Sequence, residues 1–385
     1  MPLERDARVF LFEAPCWRDF GTKTARKLAH AIYRPSTATY ELAGMTSCAG
    51  PDPLSAARQL RDAGRADAAL ACYDRALSLS SDASLYFELA ALAHSSGRVA
   101  VLEQSLRASV RLIPTFGDGH FELGNAMHSQ NRFAEAAGSF DAALRQPHLG
   151  DRGMVLNNLA NALTELGRES EAERAYSRGV RLVPRSSTAA FLLNGLANQQ
   201  SARGRDEEAV ATIERALRVQ PNAHYAAFNL GNFLRRLKRI PEAELSYRRA
   251  LAAEPSDARY VQGLGTVLHE AGRAQEAVAH YLSAQQLKRG RGERSVELER
   301  DLSSAMREAG RLAEALHVAR GAAEAQPRQA ESQLVLAAAL REMGRVDEAS
   351  EHAQLEARLD VLASAQVSLP FLLSPSSSPL PPSCL

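Results

Sequence analysis

Aromatic residues are scarce in this chain, at 6% with a single tryptophan, and no excess of either charge is present: 46 Lys and Arg face 45 Asp and Glu. A general nucleic-acid binder shows a strong basic excess, and an anionic membrane surface asks for the same, so neither partner is expected. Long apolar runs are also missing. Nothing approaches the roughly 18 residues that span a bilayer. Val9-Phe10-Leu11-Phe12 is too short, and too closely bracketed by charge, to read as a secretory signal. The four cysteines, Cys16, Cys48, Cys72 and Cys384, form no CxxC pair, and their spacing suggests no disulfide framework. A reducing compartment, cytoplasmic or nuclear, is the simpler expectation.

Signatures of chemistry are lacking too. The ten histidines are scattered without HExxH, HxH or a His–Cys cluster at ligand spacing. There is no phosphate-binding loop and no GxSxG. Gly263-Leu264-Gly265 lacks the third glycine of a dinucleotide fingerprint and follows no strand pattern. The expectation is a protein that is not an enzyme, with no catalytic residue, no metal, no cofactor and no small-molecule substrate.

What the chain does have is periodicity. Ala, Leu, Arg and Glu dominate, all strong helix formers. Gly-Arg recurs at Gly64, Gly97, Gly167, Gly204, Gly272, Gly310 and Gly344, with Asn131-Arg132 and Lys238-Arg239 at equivalent places. Aligned on these, nine repeats start near residues 50, 83, 117, 153, 190, 224, 258, 296 and 330, at steps of 33 to 38 with 34 the commonest. Each reads as two helices. The first carries leucine at its seventh position in eight of the nine, from Leu89 to Leu336, followed by a small residue such as Gly124, Gly231 or Gly265. The second opens with Glu-Ala, as at Glu135-Ala136 and Glu242-Ala243, and bears a large apolar group four residues after the alanine, as at Phe140, Tyr176, Tyr247 and Tyr281. Spacing of i, i+4 puts both on one buried face. Small against large lets antiparallel helices interdigitate. Prolines 114, 184, 221, 255 and 327 then stop the second helix. Glycine at the turn supplies positive φ; Asn131 tolerates it, and Lys238 fits less well.

This pattern resembles the tetratricopeptide-repeat (TPR) family, over about residues 50 to 362. The resemblance implies an all-α fold: a right-handed α-solenoid of about nine antiparallel helix-turn-helix units. Residues 1–49 do not follow the repeat; Thr22 to Tyr33 has the pattern of a short helix. Pro53 sits where the first repeat helix should begin, which shortens that helix. Residues 363–385 are expected to be a disordered Ser/Pro-rich tail.

In that family the first helices line the concave face. Transferred by repeat position, the peptide-binding groove comprises Phe121, Asn125, Asn157, Asn158, Asn161, Asn194, Asn198, Tyr225, Phe228, Asn229, Asn232, Arg235, Arg236 and Arg259, with Glu122, His128 and Phe191 at neighbouring positions. Asn125, Asn161, Asn198 and Asn232 share the ninth position, and Asn158 and Asn229 the sixth. Asparagine is mediocre inside helices, so its repetition on one face asks for a reason. A ladder of carboxamides can hold the backbone of an extended peptide whatever its side chains. It resembles the ladders in the TPR arms of O-linked N-acetylglucosamine transferases and of kinesin light chains. The alternative is that the amides bridge adjacent first helices and only stiffen the array. A chaperone-type carboxylate clamp lacks two of its cations here. The repeated turn arginines are expected to be solvated and paired with nearby carboxylates.

The reading that follows is a non-catalytic protein–protein interaction scaffold or adaptor holding a protein or peptide partner in its groove. The runner-up is the substrate-recognition arm of a glycosyltransferase-like or hydroxylase-like enzyme whose catalytic part is missing from this chain or supplied in trans.

Overall fold

The computed structural model describes residues 48, 52–80 and 82–368. Among these residues it is entirely helical, with eighteen α-helices and no strand. The first helices of the hairpins are α1 (Pro53–Asp62), α3 (Ala83–Ser95), α5 (Gly117–Ser129), α7 (Arg152–Glu165), α9 (Ser187–Ala202), α11 (His224–Arg236), α13 (Ala258–Glu270), α15 (Val296–Glu308) and α17 (Ala330–Glu342). The second helices are α2 (Ala66–Leu79), α4 (Val99–Leu112), α6 (Phe133–Arg145), α8 (Glu169–Leu182), α10 (Asp206–Val219), α12 (Ile240–Ala253), α14 (Ala274–Gly290), α16 (Leu312–Ala325) and α18 (Val346–Ser368). The short helix expected between Thr22 and Tyr33 lies outside the described residues.

α1 is only ten residues long and starts on Pro53, whose missing N–H costs nothing at a helix N-terminus. Asp52 caps it, its side chain accepting from the Ser55 N–H at 3.1 Å. The turns close alike. At Gly272 (φ 75°) the Gly272 N–H donates to His269 O and the Arg273 N–H to Leu268 O, both at 2.9 Å, which satisfies carbonyls the helix leaves open. Lys238 makes the same turn at φ 60°, with Lys238 N–H to Arg235 O and Arg239 N–H to Leu234 O again at 2.9 Å. The misfit expected at Lys238 therefore leaves the turn unchanged and places a lysine in the left-handed region.

Burial follows the small-and-large alternation. Tyr73, Phe140, Tyr247 and Tyr281 are all fully buried. Tyr247 lies between two glycines. A Cβ on Gly231, in its own hairpin, would fall 2.9 Å from its ring, and one on Gly263, in the next, 2.7 Å. Only glycine permits both approaches. Leu123, Leu159, Leu264 and Leu302 are buried as the periodicity requires, whereas Leu230 is half-buried.

One expectation is corrected. Cys48 and Cys72 are joined by a disulfide, with their Cα atoms 5.2 Å apart. Cys48 precedes the repeats and Cys72 lies in the core of the first, beside Leu60, Tyr73 and Leu89. Their separation of 24 residues resembles no framework spacing, because hairpin packing and not a motif brings them together.

The chain divides into two compact units, Met1–Arg168 and Glu169–Leu385. Within the first, α5 approaches α7; within the second, α9, α11, α13 and α15 each approach the next first helix, more closely than successive second helices do. Within each unit these first helices are the more closely set ones, and they carry the asparagines.

Candidate functional site

In the first unit, Phe121 and Asn125 stand on α5, and Asn157, Asn158 and Asn161 on α7, with Asn161 one turn further along. All are half-buried except Asn125, which is 8% exposed. The Phe121 ring lies 5.9 Å from that of Phe140. The amides form a directed chain. Asn157 Nδ2 donates to Asn158 Oδ1 at 3.2 Å, Asn158 Nδ2 to Asn125 Oδ1 at 2.8 Å, and Asn125 Nδ2 to Glu122 Oε2 at 3.3 Å. Burial pushes the Glu122 carboxyl up to about 6; the Asn125 bond opposes the shift and the nearby charge of Asp118 adds to it. Burial lowers His128, which stays neutral at pH 7.

In the second unit, the rings of Phe191 (α9) and Tyr225 (α11) stack, with centroids 5.0 Å apart and planes 10° from parallel. Asn229 Nδ2 donates to Asn194 Oδ1 at 2.8 Å, joining the same two helices. Phe228 meets Tyr260 at 5.0 Å and Tyr247 at 5.7 Å. His224 Nδ1 and the Tyr260 hydroxyl are hydrogen-bonded at 2.8 Å. Asn198 is exposed. Asn232 Oδ1 accepts the Tyr247 hydroxyl at 2.6 Å. Burial pushes that phenol up to about 12, so at neutral pH it remains a donor.

The three candidate cations are already paired. Arg235 Nη1 meets Glu270 Oε1 at 2.5 Å, and Arg236 Nε meets Asp206 Oδ2 at 3.2 Å. Arg259 is bidentate on Asp257, with Nη2–Oδ2 at 2.5 Å and Nε–Oδ1 at 3.0 Å. Burial raises the Asp257 carboxyl, but the Arg259 hydrogen bonds outweigh it and hold the group below its ordinary value. Such pairs offer an acidic partner little that is free. A polar cleft of about 410 Å³ between α13 and α15, bordered by Arg235, His269, Glu270, Arg300 and Asp301, is similarly self-neutralised: Arg300 bonds both Asp301 and Glu331.

The turn arginines behave as expected. Arg132, Arg239 and Arg273 each grip the glutamate three residues on, at Glu135, Glu242 and Glu276, and each also reaches a glutamate of the preceding second helix, at Glu103, Glu207 and Glu244. Among the described residues, no group of three or more His, Cys, Asp and Glu side chains is arranged to hold a metal ion.

Two features escaped the sequence reading. The ninth-position asparagine has a different partner from repeat to repeat, and residue 24 of the same repeat decides it: Tyr247 claims Asn232, whereas Phe140, lacking a hydroxyl, leaves Asn125 to Asn158 and Glu122. That signal was present in the sequence. The isolation of Glu122 was not, since it depends on which cations the packing brings near.

A tetratricopeptide-repeat model matches residues 99–151, 121–190, 194–258 and 241–291. No curated protein matches the sequence. Among solved structures the chain is similar to the APC/C hetero-tetramer Cut9–Hcn1, with a TM-score of 0.51 and 16% identity over 79% of this chain and 59% of that one. A tetratricopeptide repeat protein from Parabacteroides merdae ATCC 43184 gives a TM-score of 0.49 at 16% identity over 63% of this chain and 93% of that one. MamA gives 0.38 at 17% identity over 46% and 93%. This chain therefore spans 59% of the length of the Cut9–Hcn1 chain, and at 16% identity the likeness is one of fold. The repeat matches, the helical hairpins and their turn geometry together make this chain a member of the tetratricopeptide-repeat family.

Proposed function

We propose that the chain is a non-catalytic interaction scaffold that holds an extended polypeptide segment against its first helices. TPR arrays generally serve as protein–protein interaction scaffolds, which supports the broad reading. The finer reading rests on one observation: α9 and α11 present stacked Phe191 and Tyr225 beside the bonded amides of Asn194 and Asn229, all half-buried. A carboxamide has two donor hydrogens and an oxygen with two lone pairs, so one mutual bond leaves capacity for a peptide N–H or C=O. Flat rings beside oriented amides suit an extended chain, with apolar contact from the rings and backbone bonds from the amides.

The test is selection of a random twelve-residue peptide library on the immobilised full chain. Peptides should enrich over the bare support, and Phe191→Ala with Tyr225→Ala should cut their affinity about tenfold or more with helicity retained. Absence of enrichment on the unaltered chain would count decisively against peptide binding.

A further inference from the structure

We propose that Glu122 is the seat for a positively charged side chain, lysine or arginine, on an extended segment bound along α5 and α7; this rests on the peptide-binding reading above. Several carboxylates of the array meet a cation directly. Glu88 is matched by Arg58, Glu103 by Arg132 and Arg107, Glu173 by Arg203 and Arg205, Glu244 by Arg248 and Arg273, and Glu299 by Arg294. Glu122 has no such partner. Among the described residues its carboxylate makes no ion pair, and its hydrogen bond is the 3.3 Å contact from Asn125. A carboxylate has about four acceptor sites, so most of its capacity is unused.

The surrounding amides are ordered toward it. Each oxygen along Asn158 and Asn125 is occupied by the amide before it, so every donor points down the chain to Glu122. Such a chain polarises in one direction and favours negative charge at its end, but it carries no positive charge of its own. Taking a carboxylate from water without a cation is costly, and the pressure shows in the raised Glu122 carboxyl. His128, on the same helix, is kept neutral by burial and cannot serve as the counter-ion. Asp118 adds charge of the wrong sign. What the site lacks is one cation. A lone carboxylate among neutral amides is too poor a ligand set for a metal ion, and an acidic or neutral side chain would leave the charge unanswered. An ammonium or guanidinium group completes it, while Asn157 and Asn158 remain placed for the backbone on either side.

The experiment is the same twelve-residue library selected in parallel on the full chain, on Glu122→Gln and on Glu122→Asp, each checked by circular dichroism. On the unaltered chain, enriched peptides should carry one Lys or Arg above library frequency, and replacing that residue by norleucine should weaken binding about tenfold. Glu122→Gln should abolish the bias, and Glu122→Asp, which keeps the charge, should retain it. Peptides that enrich with no cationic bias, or with the same bias on Glu122→Gln, overturn the role of Glu122 and leave peptide binding standing. Failure of any peptide to enrich overturns both.

Discussion

The Tyr247 hydroxyl donates to Asn232 Oδ1 at 2.6 Å, joining a fully buried core ring to a side chain on the asparagine-bearing face. Tyr281 does the same with Thr266 Oγ1 at 3.2 Å, fifteen residues away as in the first pair. The ninth position is thus partly a core position, and the amide of Asn232 offers outward chiefly its N–H groups. Tyr247→Phe should cost about 1 kcal/mol of stability through the lost bond. Urea denaturation would measure it, and a loss below a few tenths would mean that the hydroxyl is as well satisfied by water.

Lys238 holds φ 60°, where a side chain costs roughly 1 kcal/mol that glycine avoids. Lys238→Gly should therefore raise stability by up to about 1 kcal/mol, whereas Gly272→Ala should lower it by a similar amount. Thermal melts of the two variants should shift in opposite directions.

Glu122 gives a pH signature. Its carboxyl is raised on folding from 4.5 to about 6, so the stabilisation belongs to the protonated form: complete below about 4.5 and lost as pH rises through about 6. Glu122→Gln should match the unaltered chain at pH 4 and exceed it by about 1–2 kcal/mol at pH 7.5. Equal stability at both pH values would show that the carboxylate is already compensated in the free protein.

The Cys48–Cys72 bond closes a loop of 24 residues around the first hairpin. A crosslink of that span stabilises by about 3 kcal/mol in the chain-entropy model. Reduction should loosen α1 and α2 selectively, visible as faster amide hydrogen exchange there while α9 to α14 are unchanged. A non-reducing peptide map should show the two cysteines in one linked fragment.

Most of the fold was legible, for a physical reason. Repeats with short turns are governed by local rules: Leu264 and Tyr281 are buried because of spacings within a single repeat, and Gly272 turns because only its own backbone matters. The candidate site was legible in position but not in pairing. Which residues stand on the first helices follows from register, so Asn125, Asn194 and Asn229 fall where expected on α5, α9 and α11. Arg259 pairs locally with the capping Asp257 two residues before it, but the bonds of those asparagines to one another, and the capture of Arg235 and Arg236 by Glu270 and Asp206, depend on distances between elements 30 to 35 residues apart. Spacing within one helix does not encode those distances. The disulfide went unread for the same reason.

Tyr247, wedged between a glycine of its own hairpin and one of the next, is held in common by neighbours. Cutting the chain inside a repeat would leave a ring without half its socket, and a whole repeat added or removed at this junction would restore the socket only where the sixth residue of the incoming repeat is a glycine, as Gly263 is. Changes of length at such a junction are thus tied to a single residue, and a truncation series should tolerate ends that fall between hairpins better than ends that fall within them.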